Sequence, residues 1–313
     1  MVKDIRVVRY EPKYKPFWDK FIANSKNGTF LFFRDYMEYH SDRFVDYSLM
    51  FFENGSLIAV MPANVKGDTL FSHGGLTYGG VISDHRMKTP KMLKIFDLLK
   101  EFLRQQGISK LIYKAVPHIY HIHPAEEDLY AIFRHDAKLI RRDVSSTIFM
   151  DEKIPFSKGR KWGIKKSKRS GLEFRRSYDF KTFMNIVKYN LEEKYGVKPT
   201  HTAEEISLLA NRFPEFIKLY AAYKGDNMVA GVIIYESKNV AHAQYISANK
   251  EGKELYALDF LIENLINVYL HKKYFDFGIS TEKEGRHLNE GLITFKEEFG
   301  ARAVVYDTYE MEV

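Results

Sequence analysis

The feature that most constrains this chain is an internal repeat of five segments. Tyr47–Glu53 is rich in β-formers and stops at Asn54-Gly55, a strong hairpin signal. Leu57–Val65 follows and turns at Lys66-Gly67-Asp68, and Thr69–Ile82 is a third extended stretch broken by glycines. A helix fits Pro90–Gln106, where Met92, Ile95, Phe96, Leu99 and Leu103 hold helical spacing and Gly107 supplies the stop; Leu111–Val116 reads as a further strand. The same order returns in Ile217–Tyr223, Met228–Tyr235, Val240–Ser247, a helix over Leu255–Leu270 and a strand over Tyr274–Ile279. Such a repeat predicts a two-lobed α/β (α+β) protein, with domains at residues 1–150 and 151–313 and a cleft between related halves.

A length of 313 residues suits two domains, and 45% hydrophobic with 28% charged residues is ordinary globular composition. No apolar run reaches the ~18 residues of a membrane-spanning helix, and the opening MVKDIRVVRY lacks the pattern of a signal peptide. With 0 cysteines, disulfides, thiolate metal sites and thiol catalysis are excluded, and a cytoplasmic protein is the expectation. Charge is concentrated: the segment Lys158–Arg176 holds nine basic residues against Glu173, a local +8 in a chain of net +7, so the remainder is nearly neutral. Ser157 just before it is a natural N-cap and Gly171 within it a natural C-terminal stop. Lys161, Lys165 and Lys168 share one helical face with Arg169 beside them, which points to an anionic partner. Beyond it, Phe183–Tyr195 looks helical, and a helix over Ala203–Leu209 is capped by Thr200 or Thr202.

The order β-meander, Gly-containing loop, helix, strand is similar to the core of the GNAT acyltransferase superfamily. Two such cores joined by a basic helix resemble the Fem-type (FemABX) aminoacyltransferases and their FemAB-like relatives. Three stretches carry the likeness: Arg160–Leu172 (RKWGIKKSKRSGL), Tyr274–Ile279 (YFDFGI) and Gly291–Gly300 (GLITFKEEFG). A weaker match lies at Ser72–Gly80 (SHGGLTYGG). The resemblance implies two tandem GNAT-like domains, each a mixed, mainly antiparallel sheet flanked by helices. It also implies an N-acyltransferase passing an acyl or aminoacyl group to an amine on a nucleotide-sugar or cell-envelope precursor. The donor implied is acyl-CoA or aminoacyl-tRNA. The partners implied are a small-molecule, lipid-linked or nucleotide-activated acceptor and, for one donor class, tRNA, with peripheral membrane contact compatible with the basic helix.

Acyl transfer needs a deprotonated amine, a stabilised oxyanion and a protonated leaving group. Lys296, the Phe-Lys lysine after Phe295, is the first candidate for an electrophilic role. The loop after the late strand offers Glu282, Arg286 and Asn289, with Asp276 on the strand itself, at the strand end where open α/β sheets place ligands. Tyr245 lies on the strand at which GNAT enzymes open their sheet, and Tyr78 holds the matching place in the first half. His73 sits among glycines that permit close approach of a ligand. Arg160, Lys161 and Lys165 would hold phosphates, and Tyr195, Lys198 and His201 the acceptor side. The run His118, Tyr120, His121, His123 completes no recognised metal spacing, so no metal is expected. Asn249–Glu254 keeps one glycine and two acids where a GNAT pyrophosphate loop needs more glycine, which counts against orthodox acetyl-CoA binding. Two readings of another class use the same residues: an RNA-binding module with Trp162 and Phe174 as stacking platforms, and a scaffold built on a degenerate repeat.

Overall fold

The structure is a computed structural model describing residues 5–313, the side chain of Tyr195 excepted. It forms two compact units. Unit 1 comprises Met1–Asp143, Thr281–His287 and Val305–Val313; unit 2 comprises Val144–Ser280 and Leu288–Val304.

In unit 1, β1 (Ile5–Arg9), β2 (Leu49–Glu53), β3 (Ser56–Met61), β4 (Asn64–Lys66), β5 (Thr69–Phe71) and β6 (Ile82–Ser83) precede helix α1 (Thr89–Gln105) and strand β7 (Lys110–Lys114). The single strand expected over Leu57–Val65 is two strands. Pro62 has no N–H to give a ladder, and the chain leaves the β1-β2-β3-β6 sheet there to enter another as β4. The stretch expected to be extended over Thr69–Ile82 stops at Phe71. His73 and Gly80 adopt left-handed backbone, φ 64° and 82°, which no strand can continue through. β5 and β7 then pair in parallel across α1. Met92, Ile95, Phe96, Leu99 and Leu103 are all buried in one core with Leu49, Phe51, Met61 and Leu111, each worth roughly 1.5–3 kcal/mol on burial. Gly107 ends the helix at φ 72°, as its position predicts.

In unit 2, residues 144–149 of β8 (Lys138–Phe149) precede α2 (Lys158–Lys168), β9 (Leu172–Ser177), α3 (Phe180–Tyr195), β10 (Ile217–Lys224), β11 (Asn227–Glu236) and β12 (Val240–Ala248). Helix α4 (Ala257–Val268), β13 (Tyr274–Ile279) and α5 (Glu290–Glu297) follow. The sheet runs β9-β10-β11-β12-β13-β8, antiparallel except for β12 and β13, which are parallel across α4. Leu261, Ile262, Leu265 and Ile266 of α4, with Tyr269 directly after it, pack on Val232, Ile234 and Phe275 of that sheet. Both units therefore hold the predicted order, with a helix joining two parallel strands at its end. Ser157 caps α2 by accepting from Arg160 N at 3.2 Å, and Thr202 forms a full capping box with Glu205. Among the described residues no helix is long and apolar enough to cross a membrane.

Candidate active site

In unit 2 the parallel pair β12–β13 is short. Its register covers Val240–His242 against Tyr274–Asp276 and ends there, while both strands continue. Each strand carries a bulge just beyond the fork. On β12, Ile233 of β11 faces Tyr245 and Ile234 faces Ala243, so Gln244 is the extra residue. On β13 the register against β8 breaks between Asp276 and Ile279. Bulges re-aim side chains and are common beside active sites.

His242 and Asp276 are the last paired residues of the fork, and their side chains meet. His242 Nδ1 lies 2.6 Å from Asp276 Oδ2. The other carboxylate oxygen accepts from Ser145 Oγ at 2.5 Å and Thr147 Oγ1 at 2.7 Å, both on β8. Burial alone would push this fully enclosed carboxyl up, but the His242, Ser145 and Thr147 hydrogen bonds outweigh it and hold Asp276 below its ordinary value. An ionised Asp276 can only accept, so the proton in the 2.6 Å bond sits on Nδ1, and Nε2 is the ring nitrogen turned away from the carboxylate. Gly278, at φ 76°, keeps that edge open: a Cβ there would lie 3.3 Å from His242 Cε1 and 3.9 Å from Nε2.

Lys296 is buried below the same strand end. Its ammonium donates to Gly278 O and Ile279 O at 2.8 Å each and to Ser280 Oγ at 2.9 Å. Burial draws it down to about 8, against the pull of Asp276. All three of its protons are thus engaged, and Lys296 anchors the backbone that carries Gly278.

The remaining candidates fall into groups. Arg160 and Phe295 meet: the guanidinium lies 4.6 Å from the Phe295 ring, bonding Asp259 at 2.7 Å and Glu298 at 2.8 Å. Gly163 makes room for this, since a Cβ would come within 2.1 Å of Asp259 Oδ2. Lys161 and Lys165 are exposed on α2, while Lys168 pairs with Glu263 and Lys166 lies over Tyr256 and Trp162. Tyr245 and His201 are brought together, with the hydroxyl 2.7 Å from Nδ1. Asn289 caps α5 through Leu292 N. The side chain of Tyr195 lies outside the described residues. Glu282 and Arg286 belong to unit 1 and are exposed. So do His73 and Tyr78: Tyr78 is buried against Tyr120 and donates to Thr29 Oγ1. His73 stacks on His40 at 5.4 Å with its Nδ1 unpartnered, and Lys114 grips the backbone carbonyls of His73, Gly74 and Leu76. His121 bonds Val116 O, and His123 packs on His85.

Sequence reasoning reached Asp276 and missed His242, Ser145 and Thr147. The available signal was a histidine inside the apolar strand VAHAQYIS and an aspartate inside YFDFGI, buried polar residues that each require a partner. At Asn249–Glu254, Asn249 Oδ1 already takes the Gly252 N–H at 2.8 Å. Gly252 itself packs where a Cβ would meet Val229 O at 2.2 Å, so this glycine serves packing against β11.

No family model matches this sequence, and no curated protein matches it. Solved structures do. The chain is similar to FemX over 96% of both chains, at 12% identity and a TM-score of 0.68. L-PGS from Bacillus licheniformis matches over 81% of both chains (14% identity, TM-score 0.53). A tandem GNAT protein from the clavulanic acid biosynthesis pathway matches over 99% of this chain and 98% of its own (10% identity, TM-score 0.51). The chain has the FemX-like fold of two GNAT-like domains that its motifs led us to expect.

Proposed function

We propose that this FemX-like chain is an N-acyltransferase in which His242 is the general base and Asp276 its orienting partner. The observation that carries the reading is the 2.6 Å His242–Asp276 pair at the last paired position of the β12–β13 fork. The amine nitrogen of the acceptor attacks the donor carbonyl, and His242 Nε2 takes the amine proton. The carbonyl–oxygen bond of an aminoacyl ester, or the carbonyl–sulfur bond of an acyl thioester, then breaks. The same imidazolium returns its proton to the leaving group, so one residue serves as base and then acid. Beyond His242, β12 has left its partner, and outward backbone N–H groups past the fork are suited to hold the oxyanion.

The acceptor class we favour is a nucleotide-sugar or cell-envelope precursor, with exposed Lys161 and Lys165 on α2 receiving its phosphates. The self-capped Asn249–Gly252 turn weighs against a standard CoA pyrophosphate grip. Thermal-shift measurements with acyl-CoAs, aminoacyl-tRNA and UDP-sugars separate the donor classes, because a ligand that binds only the folded state raises the melting temperature. A shift with at least one donor, together with transfer lost in His242→Ala, supports the assignment. Stabilisation by bulk RNA alone, with transfer absent, would favour the RNA-binding reading; no shift with any ligand would favour the scaffold.

A further inference from the structure

Helix α2 buries one side in unit 2 and turns a different kind of surface outward. Gly163, Ile164 and Ser167 are buried, and Arg160 is directed inward to Asp259 and Glu298. Lys158, Trp162, Lys165 and Arg169 follow one another at spacings of four, three and four. At about 100° per residue they form one row on the side opposite the buried residues. Lys161 and Lys166 flank that row, and all six side chains are exposed. The helix contains no acidic residue. Lys168 pairs with Glu263, whereas Lys158, Lys161, Lys165 and Arg169 form no ion pair among the described residues.

Helix stability does not account for this charge. Cations suit the last turn, where Lys165, Lys166 and Lys168 stand. Lys158 and Lys161 stand at the other end, where the helix dipole disfavours them and the first turn holds no carboxylate to offset it. Within the row lies Trp162, 56% exposed; the chain has two tryptophans, and the other, Trp18, is fully buried. An indole left in water among ammonium groups matches a lipid headgroup layer. The cations meet phosphate oxygens, and the amphipathic ring sits at the boundary between polar and apolar material.

Nucleic acid fits this face less well. The Trp162 ring already has Lys166 Nζ 5.4 Å from its centre and Tyr256 at 90° with centroids 5.2 Å apart, so it is not an open stacking platform. Five of the outward cations on the helix and its cap are lysines and only Arg169 is an arginine. Ammonium groups act as point charges suited to a diffuse anionic surface and lack the planar fork used in base and phosphate recognition. We infer that the outer face of α2 docks on an anionic lipid surface, with Lys158, Lys165 and Arg169 against headgroup phosphates and Trp162 at the interface. The helix has 11 residues, so it lies on the surface and does not span it. Lys158, Trp162 and Arg169 have no part in the proposed acyl transfer, so the inference does not rest on that reading.

The test is co-sedimentation of the full chain with vesicles of phosphatidylcholine alone and of an equimolar mixture with phosphatidylglycerol, with tryptophan emission recorded in parallel. Binding to the anionic vesicles should be at least tenfold tighter than to the neutral ones and should weaken as salt rises. Because Trp18 is buried, Trp162 should carry a blue shift and quenching by lipids brominated in their acyl chains, and Trp162→Phe should abolish both. Lys158→Gln and Arg169→Gln should each weaken vesicle binding about fivefold with the melting temperature unchanged, since both side chains are exposed and unpaired. Equal binding to neutral and anionic vesicles, unquenched Trp162 at saturating anionic lipid, or a Lys158→Gln/Arg169→Gln variant that binds as wild type would each overturn the inference. Tight binding of a mixed-sequence single-stranded RNA without vesicle binding would overturn it in favour of nucleic acid.

Discussion

His242 Nδ1 and Asp276 Oδ2 are 2.6 Å apart across two parallel strands at the last position where those strands still pair. One residue further along, the strands diverge, so the dyad stands at the mouth of the opening that its own backbone creates. If His242 is the base, His242→Ala should lower kcat/KM by about 10²–10⁴, measured as transfer of a labelled acyl group to an amine, and should also lower the melting temperature because the buried Asp276 carboxylate loses a donor. Asp276→Asn should also impair transfer, and it should lower stability because a buried carboxylate with three donors is replaced. Wild-type rates in His242→Ala would eliminate the proposed base.

Gly278 tests the site from the other side. An alanine there must hold φ 76° and set its Cβ 3.3 Å from His242 Cε1. Gly278→Ala should cost about 1–2 kcal/mol of stability and reduce transfer more than that loss accounts for, which parallel thermal melts and rate assays would reveal.

Lys296 should behave as an anchor. Lys296→Met leaves two backbone carbonyls and Ser280 Oγ without their donor, at about 1–3 kcal/mol for each buried group left unsatisfied. A clear fall in melting temperature is expected in addition to lost transfer. Lost transfer at unchanged stability would instead identify the lysine as a direct participant in the reaction.

On the basic helix, two neighbours should part company. Arg160→Ala strips Asp259, whose side chain is 4% exposed, of its partner, and breaking a buried pair in this way costs roughly 3–5 kcal/mol. Lys161→Ala and Lys165→Ala should stay within about 0.5 kcal/mol of wild type while weakening any phosphate-bearing ligand. Chemical denaturation of the three variants provides the comparison.

His73 makes the chain acid-sensitive. Burial, with His40, Lys114 and Arg34 nearby, pushes its folded pKa down to about 3 from 6.5. Between those values the unfolded chain binds the extra proton, so folding stability falls as the pH drops below about 6.5 towards 3. Replacing it by asparagine, which tolerates the left-handed backbone at φ 64°, should flatten the stability–pH slope by up to one proton, about 1.36 kcal/mol per pH unit. Denaturation midpoints at pH 7, 6 and 5 would measure this, and identical slopes for variant and wild type would refute it.

The repeat, the helices and their stops were legible because they depend on short-range rules. Asn54-Gly55 turns, Gly107 and Gly171 end helices, and Met92 to Leu103 repeat at 3.6-residue spacing whatever lies around them. The same local reading placed a cap at Ser157 and narrowed the next to Thr200 or Thr202, of which the structure uses Thr202. It did not foresee that Pro62 sends one extended run into two sheets, because partner choice in a sheet depends on what lies beside the strand.

The site divides along the same line. Sequence alone established a basic helix, an Arg160…Phe295-Lys296 motif and a two-unit fold. Only the tertiary structure decided that Arg160 and Lys296 are gripped by their surroundings, and that His242 and Asp276, thirty-four positions apart, are hydrogen-bonded. Local pattern constrains the backbone within one or two turns of chain. A dyad is set by strand register, and register is settled by the packing of the whole sheet.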